Sequence, residues 1–354
     1  MTHVAWASLG FEDAVFPELA TSGRALAMGN AFISRVDDSL AAFYNPAGLG
    51  TIRYQHLHIS NLHLESNNGF LNSGTSGTAA AVPTDFIKSF TIDGTRQLLL
   101  EHIGTLSNAR FQVMPNFTTR YFTAGYLVSK IQRAYMGNYN SGEQYEYASR
   151  LDYGPYVGMN LSLFGGVLKF GGSAIYLARN EAVSTASATT TLDIKDGDYK
   201  KGTAVIITGG AKLTLPIIAL PSFSATLHNV AATKFSPRAA GAPTQIAQTL
   251  DGGFSLTPQI GVTSRVHFEV NYKDIMQKYK NVSVARKILL GMEFDFSRVM
   301  FVRFGYGDGF GSAGLGIKSK HLEFDLTTYA VDTTTSAFRG REDRRFAMTL
   351  SSGF

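Results

Sequence analysis

Residues 265–273, Arg265-Val266-His267-Phe268-Glu269-Val270-Asn271-Tyr272-Lys273, place an apolar or aromatic residue at every even position and a polar one at every odd position. A period of two sends the two sets to opposite faces of one extended strand, and no helical stripe runs through them. The alternation recurs on both sides. In 287–296, Ile288, Leu290, Met292, Phe294 and Phe296 oppose Lys287, Glu293 and Asp295, and in 321–330, Leu322, Phe324 and Leu326 oppose His321, Glu323 and Asp325. Upstream, Leu151, Tyr153, Val157, Met159, Leu161 and Leu163 share one face of 150–163, and Leu250, Phe254, Leu256 and Ile260 share one face of 249–260.

Strand patterns fall near 55–64, 109–117, 119–133, 145–163, 166–179, 203–215, 220–230, 249–261, 264–273, 286–296, 298–306, 311–318, 320–331 and 344–354. About fourteen segments, many near the roughly 10 residues that a tilted membrane-crossing strand needs, predict an all-β, membrane-spanning antiparallel β-barrel. Tight connections, as at Asp295-Phe296-Ser297-Arg298 and Lys318-Ser319-Lys320, alternate with long Ser/Thr/Gly-rich ones at 65–108, 181–202 and 232–248. That is the asymmetry of periplasmic turns and extracellular loops. Within the first long loop, residues 95–107 are expected to form a helix. A soluble sandwich or closed soluble barrel shares the period, so it remains an alternative reading. The mixed charge of the polar face, with Arg265, His267, Glu269, Lys273, Glu293 and Asp295 able to pair across a lumen, favours the membrane barrel. The last nine residues alternate as well, and Phe346, Met348, Leu350 and the terminal Phe354 resemble the assembly signal of outer-membrane barrels. That resemblance implies the barrel-assembly machinery as a partner.

At 354 residues the chain is long enough for two ordinary domains or one large β architecture. With 36 Gly, 25 Phe, 16 Tyr, a single Trp and 17% charged residues, it leans toward many short strands with aromatic faces. Zero cysteines exclude disulfides, Cys-based zinc sites and thiol nucleophiles. The net charge of +5 is spread without a basic run, which points away from nucleic acid. No segment reads as a membrane-crossing helix. The best uncharged run, 213–233, carries Pro216, Pro221, His228 and Asn229 and reads as two strands and a turn. Ala5-Trp6-Ala7 has the small-x-small form of a signal-peptidase site, so residues 1–7 are expected to be a signal-peptide remnant or artificial start, with the mature end near Ser8.

The motifs of enzymes are missing from the sequence. There is no G-x-S-x-G elbow, H-E-x-x-H or phosphate-binding G-x-x-x-x-G-K-[ST], and the Gly-rich 305–309 sits between strands as a turn. The expectation is a non-enzyme with no catalytic residue, cofactor or metal. His56, His58 and His63 cluster on the first strand, but no third ligand accompanies the facing pair His56 and His58, and a polar lumen role suffices.

Ahead of the strands lies a compact unit, residues 22–50, SGRALAMGNAFISRVDDSLAAFYNPAGLG. Asp37 or Asp38 is placed to cap a short helix running through Tyr44, and Asn45-Pro46 stops it and opens another short turn at Ala47. These mostly small residues suit backbone packed inside something. The run Gly23-Arg24-Ala25, the pair Asp37-Asp38 and Asn45-Pro46-Ala47 resemble the N-terminal hatch of the outer-membrane long-chain fatty-acid transporter (FadL) superfamily, PorV-like barrels included. The resemblance implies fourteen strands, a hatch at 8–52 plugging a barrel at 53–354, and the outer membrane of a Gram-negative-type bacterium. It also implies diffusive uptake of hydrophobic compounds such as long-chain fatty acids, gated by Gly23, Arg24, Asp37, Asp38, Asn45, Pro46 and Ala47. A barrel this wide must hold water, a plug or both. Arg265, Lys287 or Arg303 is then available to an acidic headgroup. The alternative is a PorV-like barrel serving as partner or anchor of a secretion or surface-attachment system, a likeness carried at Leu227-His228-Asn229 and in the C-terminal third.

Overall fold

The computed structural model describes residues 9–11, 13, 18–52, 55–75, 88, 91–139, 142–239, 241–279, 282–332 and 341–353. The expected signal remnant at 1–7 and the terminal Phe354 lie outside them.

Among the described residues, sixteen strands form one sheet. They are β1 His56–Asn67, β2 Leu106–Val113, β3 Asn116–Thr118, β4 Phe122–Tyr139, β5 Gly142–Leu163, β6 Leu168–Ser187, β7 Lys200–Thr214, β8 Ser222–His228, β9 Ser236–Ala239, β10 Thr249–Leu256, β11 Arg265–Tyr272, β12 Ile288–Phe296, β13 Met300–Gly307, β14 Phe310–Lys318, β15 Leu322–Asp332 and β16 Glu342–Gly353. β3 continues β2, since both pair with β1 and β4, and β9 only lines the end of β7. Fourteen antiparallel staves remain, and β16 closes the ring on β1 through pairs such as Leu62↔Leu350 and Leu64↔Met348. The break between β2 and β3 falls at Met114-Pro115. Proline offers no N–H to the ladder, yet Met114 N–H donates to Asn61 O (3.1 Å) and Pro115 O accepts from Tyr126 N–H (3.0 Å), so the wall stays shut.

Polar residues point in and apolar residues point out. On β11, His267, Glu269 and Asn271 are buried while Phe268 and Val270 are exposed, and Leu57, Phe111, Val157, Met159, Phe304 and Leu326 join the outer belt. A water-soluble sandwich or barrel hides its apolar face, so this inversion overturns the soluble alternative: the outside is a lipid-facing surface. Phe346 is exposed on that belt, Met348 and Leu350 share its face of β16, and Arg345, Ala347, Thr349 and Ser351 point inward.

The two rims differ. One carries short turns at 119–121, 164–167, 215–221, 257–264, 297–299 and 319–321, the other the longer connections 68–105, 188–199, 229–248 and 273–287. By that asymmetry the short-turn rim is periplasmic. Ser297-Arg298 and Asp308-Gly309 turn their hairpins with positive φ at both positions (55°, 60° and 55°, 90°), the mirror-image turn that fits strand twist.

Three elements belong to the N-terminal unit: helix α1 Gly23–Ala27, helix α2 Ala41–Tyr44 and the 3-10 turn Pro46–Thr51. Helices α3 Asn68–Thr75 and α4 Ile92–Leu100 lie in the first long connection. The helix expected at 95–107 is thus shifted: Thr91 caps α4 through Gly94 N–H, and Leu106 onward joins β2. α4 turns Leu99 toward Ala134, Met136, Tyr145 and Tyr147, which lie on the outer face of β4 and β5 at the long-loop end, opposite in phase to the inward Arg133.

A candidate hatch and lumen pocket

Residues 18–52 run through the inside of the barrel, touching staves around the ring. Gly23 N–H donates to Thr349 Oγ1 on β16 (2.8 Å), and Thr327 Oγ1 on β15 donates to Gly23 O (2.8 Å). Ser34 N–H donates to Glu269 Oε1 on β11 (2.7 Å), and Asn160 Nδ2 on β5 donates to Ala47 O (3.2 Å). Where the two backbones meet, the wall is glycine. A Cβ on Gly171 of β6 would stand 2.2 Å from Pro46 C, and one on Gly305 of β13 would stand 2.1 Å from Gly29 N.

The cap expected from Asp37 or Asp38 differs in detail. Leu40 occupies the N-cap of α2 with no side-chain cap, and Asp38 Oδ1 instead accepts Leu40 N–H (2.9 Å) in the turn before it. Asn45 ends α2 in an extended conformation (φ −160°), and its Oδ1 accepts Ala47 N–H (3.0 Å) to open the next turn. Its Nδ2 holds Ile33 O (3.0 Å), which folds the unit back on itself.

A charge network fastens this unit to the wall. Arg24 grips Glu293 of β12 with Nε and Nη2 (2.8 and 3.0 Å) and reaches Asp37 with Nη1 (2.7 Å). Arg35 joins both Asp37 and Glu293, and Arg303 of β13 bonds Glu293 (2.8 Å) and Asp325. Burial alone lifts the Asp37 carboxyl, but the Arg35 and Arg24 guanidiniums outweigh it and hold the group below the ordinary carboxylate range. Burial pushes the neighbouring Asp38 carboxyl up to about 6, opposed by Arg24 and reinforced by Asp37 and Glu323.

Of the seven sequence-chosen hatch residues, Arg24, Asp37 and Asp38 meet in the charge network, Gly23 lies against β15 and β16, and Asn45, Pro46 and Ala47 lie against β6 and β7 at another part of the ring. The three cations chosen for a headgroup are scattered. Arg303 is enclosed by carboxylates mid-wall, Lys287 at the long-loop end donates to Asp274 Oδ2 (2.8 Å), and Arg265 stands opposite Asp295 near the short-turn rim. His58 pairs with Asn116 Oδ1 (3.2 Å) and His63 with Thr349 Oγ1 (2.9 Å).

Between α2 and the wall lies a partly open cavity of about 60 Å³, lined mainly by Leu19, Phe43, Tyr156, Ile175, Ile206 and Ile246, with Glu18 and His228 also on its wall. Sequence reading missed it, although a signal existed: Tyr156, Ile175 and Ile206 are apolar residues in the lumen-facing phase of three consecutive staves. On the periplasmic side of the hatch opens a vestibule of about 830 Å³.

No family model and no curated protein matches the chain. Among solved structures it is similar to the CymD monoaromatic hydrocarbon channel (TM-score 0.51, 10% identity, 94% of this chain and 96% of that one). It is similar also to the Ralstonia pickettii toluene transporter TbuX (TM-score 0.50, 13% identity, 94% and 98%). CdiB from Acinetobacter baumannii aligns with 86% of this chain, which spans 60% of CdiB, at 8% identity and a TM-score of 0.37, too distant to bear on the fold. With its closed ring, lipid-facing apolar belt and filled lumen, the chain has the fold of the 14-stranded FadL-type outer-membrane barrel.

Proposed function

We propose that the barrel passes small hydrophobic compounds by diffusion across the outer membrane, and that the N-terminal unit, residues 8–52, is its hatch. One observation carries this reading: a mainly apolar cavity pressed against hatch helix α2, inside a lumen whose walls carry many charged and polar side chains. A polar lumen alone serves water and ions. An apolar chamber within it holds a molecule that water rejects. The likeness to a monoaromatic hydrocarbon channel and a toluene transporter supports the same class of cargo. At about 60 Å³ the chamber is smaller than the roughly 150 Å³ cavity known to admit benzene. One aromatic ring therefore requires a small yielding of the hatch, and a long-chain fatty acid a much larger one.

The test is binding of toluene and of palmitate to detergent-purified protein, paired with Ala42→Leu, which fills the chamber from the α2 side. Saturable toluene binding that Ala42→Leu abolishes in a folded barrel is the expected result. Palmitate binding without toluene binding would restore the long-chain reading. A folded barrel that takes neither would overturn the uptake function in favour of a PorV-like partner of a secretion system.

A further inference from the structure

We infer that the periplasmic vestibule contains an anion-binding site built on Lys169 and Lys212, suited to a carboxylate or phosphate group. The inference goes beyond the uptake reading and rests on it only in taking the vestibule as the exit. Nine lysines and arginines against four carboxylates line this space. Four of the nine are committed: Arg24, Arg35 and Arg303 to Glu293, and Lys318 to Glu323.

Lys169 and Lys212 are different. They stand directly opposite each other on β6 and β7, both turned into the lumen and both nearly buried, at 5% and 6% exposure. Opposed residues in an antiparallel pair hold their Cβ atoms about 5 Å apart, and like charges there repel. Lys212 Nζ donates to a neutral acceptor, Ser34 O (2.5 Å), and Lys169 has no carboxylate partner among the described residues. The carboxylates facing Lys212 are already engaged, Asp37 by Arg24 and Arg35, Glu269 by His267 (3.0 Å) and Ser34 N–H.

A third cation adds to the pair. Arg120, in the turn after β3, brings Nη2 to within 3.5 Å of the Cβ position of Gly166, and Lys169 Cε lies 3.8 Å from the same point. The floor is polar, for the Gly50 Cβ position meets Asn160 Oδ1, Ser162 Oγ and Lys169 Cδ, each at 2.7 Å. Like charges in a half-enclosed site are stabilised by an anion seated between them, and ammonium groups with spare donors supply charge-assisted hydrogen bonds to it. Two sources share this chemistry: an acid leaving through the barrel, and phosphate, free or on a lipid headgroup.

The experiment is calorimetric titration of the full-length protein in neutral detergent with sodium benzoate and, separately, inorganic phosphate. Wild type is compared with Lys169→Gln, Lys212→Gln and, as a control on the opposite rim outside the vestibule, Lys234→Gln. Toluene binding and heat-modifiable gel migration are measured on every sample. One-to-one binding of either anion, weakened about tenfold or more by each of the first two variants and unchanged in the third, is the expected result. Benzoate binding alone points to an exiting acid, phosphate alone to phosphate or a headgroup, and both to the shared chemistry. A folded wild-type barrel with no saturable anion binding, or binding equal in all four proteins, overturns the site. Because toluene is read separately, loss of this inference leaves the uptake reading intact, and failure of toluene binding leaves the anion result standing.

Discussion

Gly171→Ala isolates the fit between hatch and wall. Gly171 faces the lumen, where its added methyl would lie 2.2 Å from Pro46 C, 2.3 Å from Ala47 N and 2.4 Å from Pro46 O. Carbon atoms pack at about 3.5–4.0 Å, so the Asn45-Pro46-Ala47 turn must retreat by roughly 1.3 Å or more. Retreat is resisted by the unit's own fold, since Asn45 Nδ2 holds Ile33 O at 3.0 Å, while Gly210, paired with Gly171 in the same wall, lies as close to the turn, its Cβ position 2.0 Å from Asn45 Oδ1. Overpacking of this kind costs about 1–3 kcal/mol. Spread over a docked and an undocked hatch, that shifts the ratio roughly 5- to 150-fold. Gly172→Ala is the matched control, for its Cβ meets nothing within 4 Å on the lipid side of the same strand. The assay is ion conductance of single barrels in a planar bilayer. Conductance bursts in Gly171→Ala, scarce in wild type and in Gly172→Ala, are expected. Equal conductance in all three folded barrels would refute a hatch held by close packing at this turn.

Further outcomes follow from the charges. Arg24→Met removes two bonds from buried Glu293, but Arg35 and Arg303 stay in place, so the loss should fall to about 2 kcal/mol, below the 3–5 of a stranded charge, read as a lower midpoint of heat-modifiable unfolding. The Asp38 carboxyl sits at about 6 in the folded barrel, above its ordinary 3.8. Its contribution to docking is therefore fully present below pH 3.8 and is lost as pH rises through 6. Bilayer conductance should be lower at pH 5 than at pH 7.5, and Asp38→Asn should flatten that difference. Phe346→Ala and Leu350→Ala on the closing strand should lower the amount of heat-modifiable barrel recovered from membranes, while Ser352→Ala should not.

The staves were legible because the membrane enforces one rule along each of them: a charge turned to hydrocarbon costs several kcal/mol, so the two-residue period is kept. The nine residues of β12 advertise their faces directly, whereas β1 inverts its parity at a register shift between His58 and Ser60, so that Leu57 and Ile59 face out but Asn61, His63 and Glu65 face in. The hatch turns at Asn45-Pro46 were legible for a local reason, since proline restricts the backbone on both sides. The role of each cation was not. Whether a lysine or arginine is occupied depends on the residue across the ladder: register sets Arg303 against Glu293, Arg265 against Asp295 and Lys169 against Lys212. One sequence does not state its register. The shift of α4 has a similar origin, because β2 gains ladder partners from Leu106 onward and ends the helix early.

Height around the wall is uneven, and this sets the direction of approach. β5 runs for 22 residues, whereas β12 has 9 and β13 has 8. At about 3.4 Å per residue and a tilt near 40°, β5 rises roughly 55 Å, against a hydrocarbon thickness of about 30 Å, while β12 rises only roughly 23 Å. The mouth is cut on a slant, like a quill. On its high side β4, β5 and β6 form a stiff screen backed by α4; on its low side the staves end near the level of the outer leaflet. Greasy molecules dissolved in that leaflet thus meet the low lip first, and need not climb out into water to reach the opening.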